Sequence, residues 1–219
     1  FGQIFAAPPA MGGFGYSEGI ASADMKELNV VSFGGKIGLA WKPDDQFSLE
    51  FPITGEFNIR MLTLVHEYTA DVWHWKAGRG NPVGWVDDKR HIISQKPIKN
   101  GMEYPMGGHG TVYIARQMDD GTSSYSVKPK PTVFEGTIVD SFEQRQPAGS
   151  VADIQGKGIH DGKGWTLEMS RKFNTGHDDD APIDPAKENI CAIAVLDDEL
   201  YWDHSVSQLI TLHFISNAK

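Results

Sequence analysis

Residues 70–76 read ADVWHWK. With the period of two that a strand imposes, Val72, His74 and Lys76 fall on one side and Asp71, Trp73 and Trp75 on the other. Upstream, residues 48–53 and 58–65 carry further β-type runs, and residues 28–33 and 36–41 are separated by Gly34-Gly35, a hairpin signal. Downstream, residues 152–160 and 165–173 flank Asp161-Gly162, a type I′ turn dipeptide, and are expected to form two long paired strands. Residues 190–196 and 208–215 complete the series, rich in apolar and β-branched side chains. The stretch 78–131 reads as irregular apart from residues 111–116, and Pro185-Ala-Lys-Glu-Asn offers only about one helical turn. Many short strands joined by Gly, Asp and Asn turns predict an all-β fold, an immunoglobulin-like or CBM9-like β-sandwich.

Composition agrees with that class. Of 219 residues, 40% are hydrophobic and 22% charged, which excludes a disordered chain. The 24 glycines and 12 prolines are too many for a long-helix bundle. Twenty basic against 29 acidic residues leave a net charge of −9, which argues against nucleic acid or an anionic membrane as partner. The single cysteine, Cys191 in the apolar run ICAIAVL, excludes an intrachain disulfide, a cysteine-rich zinc site and haem attached through C-x-x-C-H, and reads as a small buried hydrophobe. No apolar run approaches the roughly 20 residues of a spanning helix. The organisation expected is an extended N-terminal arm over residues 1–24, Gly/Pro-rich through Gly19, and one domain over residues 25–219. The opening FGQIFAAPPA has the small residues of a processed precursor, pointing to an extracytoplasmic protein.

Nucleophile and nucleotide motifs are absent, and none of the eight histidines falls in an H-E-x-x-H frame. The run His177-Asp178-Asp179-Asp180 with Asp184 lacks the alternating spacing and glycine of a calcium loop. Met61, His74, Lys76 and His204 form a set of thioether, imidazole and amine donors in or beside strand-like segments. A thioether with an imidazole is the pair that fills both axial positions of an electron-transfer haem. The competing reading takes Met61 as core filler and His204 as an exposed turn residue. A haem-free carbohydrate-binding or structural module is the alternative function, with Trp85, Tyr104 and Tyr113 as a sugar platform.

The stretch 70–89, ADVWHWKAGRGNPVGWVDDK, resembles the D-[IV]-W-x-W-K-A signature followed by R-x-N-P-x-G of the ethylbenzene dehydrogenase-related haem-binding family. KIGLAWKPDD (36–45), GKGWTLEMSRKFNTG (162–176) and AIAVLDDELYWDHSVS (192–207) resemble other segments of that pattern in order. The resemblance covers roughly residues 25–215. It implies a β-sandwich that binds one haem b without a covalent link, as the γ-type subunit of a periplasmic molybdenum oxidoreductase with an iron–sulfur subunit. It implies an electron carrier with no catalytic residue of its own. By the same resemblance Met61 and His204 are the axial ligands, with His66 the alternative. Trp73 and Trp75 would bury the haem, and Lys76 and Arg79 would meet its propionates. The family often has Lys at the C-terminal ligand position where this chain has His204.

Overall fold

The computed structural model describes residues 25–33, 36–61, 64–129, 133, 138–197 and 204–214, with the backbone alone for 25–43 and 138–139. Among the described residues, regular structure consists of seventeen strands and three single-turn 3-10 segments. The first two strands are β1 (Met25–Phe33) and β2 (Lys36–Pro43). Then come β3 (Gln46–Gly55), β4 (Tyr68–Lys76), β5 (Asp87–Ser94), β6 (Met102–Pro105) and β7 (Thr111–Met118). Short strands follow: β8 (Gly121–Thr122), β9 (Tyr125–Val127), β10 (Ile138–Asp140), β11 (Phe142–Gln144) and β12 (Ala148–Gly149). The last are β13 (Gln155–His160), β14 (Trp165–Ser170), β15 (Asn189–Leu196), β16 (His204–Val206) and β17 (Ile210–Leu212).

An antiparallel sheet in the order β16-β15-β3-β4-β5-β7-β6, with β17 also on β15, forms the main layer. Its register puts Leu49 beside Trp73 and Phe47 beside Trp75, so one face collects the large apolar side chains of β3 and β4. That face packs with Ile154, Ile183 and Cys191 into one core, covered by Leu167 and Met169 of the β13–β14 hairpin. The opposite face holds a second core of Tyr68, Ala70, Val72, Ile93, Val112 and Ile114. The all-β, sandwich-like architecture is the one expected, and Cys191 is fully buried as expected.

Three expectations are corrected. Residues 58–61 and 64–65, which carry β-type side chains, lie in the β3–β4 connection and form no strand. Both edges of β3 and of β4 are already paired, so that run has no neighbouring edge to join. The stretch 78–131 contains β5 through β9, with β5 and β7 inside the main sheet. Finally, β13 and β14 are joined by a four-residue loop, in which Gly162 alone takes positive φ (91°) and Asp161 accepts the N–H groups of Lys163 and Gly164. A type I′ turn would need positive φ at both central residues. The N-terminal arm and Gly34-Gly35 lie outside the described residues.

Gly158 is where the hairpin comes closest to the sheet. A Cβ there would stand 2.5 Å from Cζ2 of Trp75 and 3.1 Å from Cε3 of Trp165. Gly158→Ala is expected to cost about 1–3 kcal/mol through overpacking. Gly164→Ala, with nothing within 4 Å of its Cβ position, should change stability little. Urea unfolding of the two variants checks this, and equal midpoints would show that the hairpin is not packed as described.

Candidate functional site

Two of the segments that carry the family resemblance, 70–89 and 162–176, meet at one corner of the sandwich with Asp44 and Asp45 from the end of a third. Trp75 Nε1 donates to Asn81 Oδ1 (3.2 Å), and the same oxygen accepts the Gly158 N–H (2.6 Å), while Asn81 Nδ2 donates to the Gly158 carbonyl (3.2 Å). The Trp75 and Trp165 rings meet edge to face at 4.9 Å, and Trp165 Nε1 donates to Asp45 (2.7 Å). Arg79 forms a two-point pair with Asp44, Nη2 to Oδ1 at 2.8 Å and Nε to Oδ2 at 3.3 Å, with both side chains 0% exposed. Trp73 lies on the same face as Trp75, tilted against Phe51 and under the Arg171 guanidinium at 4.7 Å. Trp73 and Trp75 thus belong to the core between the main sheet and the hairpin.

Lys76 is also met inside the fold. Its ammonium lies 2.9 Å from Asp87 Oδ2 and donates to the Tyr125 hydroxyl (3.2 Å), which in turn donates to Asp87 (2.7 Å). Burial would raise the Asp87 carboxyl, yet Lys76, Lys89 and Arg79 hold it down at about 2. Lys76 and Arg79 are accordingly tied to internal carboxylates, where the resemblance implied contact with propionates.

Met61 sits on the other face of the sheet. It packs against the second core, and the Arg116 guanidinium reaches its sulfur at 3.5 Å. Arg116 is the cross-strand partner of His91 on β5. His91 Nδ1 stands 3.1 Å from Glu50 Oε1 across the sheet, an ion-pair distance without hydrogen-bond geometry. His74 is arranged the other way. The Lys89 ammonium lies 3.2 Å from its Nδ1, so the ring proton belongs on Nε2, which is buried without a partner. Burial, with Lys89 next, holds the His74 ring well below its ordinary titration range, and the lone pair on Nδ1 faces the Lys89 ammonium.

His204 occupies β16, at the far edge of the sheet, opposite Leu196 and exposed. Five inter-strand steps separate β16 from the β7 strand whose Arg116 touches Met61. Met61 itself packs against side chains of β4, β5 and β7, and among the described residues no contact brings it to His204. His66, in the same connection as Met61, pairs with Glu56 at 2.7 Å. Sequence reasoning missed His91, because the carboxylate behind it comes from β3 and only the sheet register brings the two together. The three aromatics of a sugar platform are dispersed. Tyr104 packs in the second core, Tyr113 sits one residue from buried Val112 and so faces the other way, and Trp85 pairs with Gln155 beside the hairpin.

Among the described residues no helix is long and apolar enough to cross a membrane. No curated protein and no solved structure matches the chain. The family model described as ethylbenzene dehydrogenase matches residues 18–207, spanning the corner motifs, the Met61 connection and both cores, and the chain therefore belongs to the ethylbenzene dehydrogenase family.

Proposed function

We infer that this chain is a haem b-binding electron-transfer subunit, working outside the cytoplasm with a molybdenum catalytic subunit and an iron–sulfur subunit. Family membership supports the class of complex, and the observation that carries the haem reading is the Met61 thioether lying on the sheet face where Glu50 backs His91. A bound haem b would supply one-electron redox chemistry. The donor set suits it: the Met61 thioether and an imidazole would hold the iron. The register favours His91 for that imidazole over His204, since His91 is the cross-strand partner of Arg116, which touches Met61. Arg116, exposed and beside Met61, is the cation placed to meet a propionate. An iron held by two such side chains would carry electrons without binding substrate. The lack of C-x-x-C-H leaves the group held by these contacts alone.

Titration of the full chain with haemin tests this reading. One equivalent is expected to bind with a low-spin spectrum and sharp α and β bands on reduction, and acidified organic solvent should extract the colour. Met61→Ala should lose the low-spin signature. Among His91→Ala, His204→Ala and His66→Ala, the first is expected to behave like Met61→Ala and the other two like the parent. A chain that stays colourless with haemin excludes the cofactor, and a parent spectrum in Met61→Ala removes the thioether from the ligand set.

A further inference from the structure

We propose that a calcium ion binds between the main sheet and the loop over residues 176–184, held by Asp88 together with Asp71 and Asp180. Carboxylate oxygens of these three residues all lie within 4.8 Å of one another. Calcium takes oxygen ligands at about 2.3–2.6 Å, so oxygens on opposite sides of one ion stand about 5 Å apart and adjacent ones closer. The spacing therefore suits a single ion among them.

The independent sign of a missing ligand is Asp88, which is 0% exposed and has both carboxylate oxygens buried without a hydrogen-bond partner. Asp71 Oδ1 and Asp119 Oδ2 lack partners in the same way. A buried carboxylate left unpaired is costly, and sites that keep one hold a cation or a proton. The fixed cations nearby are already engaged. Arg171 Nη1 bonds Asp71 Oδ2 (2.6 Å) and Asp180 Oδ1 (2.7 Å), and Arg90 Nε lies 3.1 Å from Asp119 Oδ1. Those two guanidinium groups face five buried carboxylates, Asp71, Asp88, Asp119, Asp179 and Asp180.

The donors are all oxygen, which selects a hard cation, and their irregular origin from strands and loop suits calcium better than the strict octahedron of magnesium. The loop is fixed for the purpose, since Ser150 donates to Asp179 (2.8 Å) and Thr175 to Asp180. No linear motif announces the site, because Asp71, Asp88 and Asp180 come from β4, β5 and the loop.

The rival occupant is a proton shared between Asp88 and Asp119, and the two are separable. The full chain, stripped with chelator and titrated with calcium chloride alone, is expected to bind one equivalent and melt at a higher temperature. Asp88→Asn mimics the neutral acid, so it should melt like the stripped parent and lose at least tenfold in calcium affinity. Terbium supplies a measurement that needs no ligand variant. Trp73 is the cross-strand neighbour of Asp88, so it should sensitise terbium emission that calcium quenches by displacement, and Trp73→Phe should dim that emission while keeping the calcium-induced rise in melting temperature. No response of the parent to millimolar calcium, an undiminished response in Asp88→Asn, an equal response to magnesium, or unchanged emission in Trp73→Phe each overturns the assignment.

Discussion

Arg79→Met is expected to destabilise the haem-free protein by about 3–5 kcal/mol, the usual cost of removing one partner of a buried ion pair. The replacement keeps much of the aliphatic bulk and removes the charge, leaving Asp44 0% exposed with only the Gly78 N–H (2.9 Å) still bonded to it. It also removes the guanidinium from the Tyr125 and Phe142 rings, whose centroids lie 5.9 and 5.5 Å from Arg79 Cζ. The size of the effect comes from desolvation: a carboxylate stranded in the interior loses water without a counter-charge in return. Asp44→Asn should be costly for the mirror-image reason, and the double variant Arg79→Met/Asp44→Leu should recover much of the loss. Urea unfolding of the four proteins gives the coupling energy. A residue whose task was to hold a propionate would behave differently, lowering haem retention while leaving the haem-free protein as stable as the parent. That outcome would return Arg79 to the cofactor.

The same comparison explains what the sequence made legible. A motif such as D-V-W-x-W-K-A followed by R-x-N-P-x-G identifies the family correctly, yet its residues build the scaffold. Asp71 pairs with Arg171, Trp75 and Gly158 share Asn81, and Arg79 holds Asp44. Such residues are hard to replace because each meets a buried partner from a distant segment, which is as restrictive as touching a cofactor. One sequence displays the residue types without the partners, so scaffold and site look alike.

Strand reading succeeded where one face is apolar and the period of two is visible, as in β4 and β15, and failed where burial depends on pairing. The β5 sequence DDKRHIIS has the charge density of a loop, yet Asp87, Asp88 and His91 within it are buried. Most of the charges are met from other segments, with Lys76 beside Asp87, Asp119 beside Arg90 and Glu50 beside His91, while Lys89 adds to Asp87 from the same strand. Residues 58–65 erred in the other direction, since β propensity describes a fit to a pleated surface and supplies no neighbouring edge. Met61 therefore reaches the sheet from a connection, and its relation to any histidine is set by how that connection folds back over β4, β5 and β7.

Lys76→Met should cost about 3 kcal/mol or more, and Lys89→Met much less, although both ammonium groups lie near the same carboxylate oxygen. Lys76 stands 2.9 Å from Asp87 Oδ2 and is 2% exposed, whereas Lys89 stands 3.6 Å away and is 16% exposed. At similar separations the Coulomb attractions differ little, so the contrast arises from the surroundings. Lys76 also donates to the Tyr125 hydroxyl, linking β4 to β9, and the Tyr125 ring packs edge to face on Phe142 of β11 at 5.4 Å. Removing its charge leaves Asp87 dependent on Lys89, which must then divide its donors between Asp87 and His74. Removing Lys89 leaves the Lys76–Asp87–Tyr125 triangle whole. Urea unfolding should rank the variants in that order, with amide protection in β9 and β11 falling in Lys76→Met and holding in Lys89→Met. Equal losses would mean that the sheet senses only the total charge around Asp87, and the triangle would lose its claim to join β4 to β9.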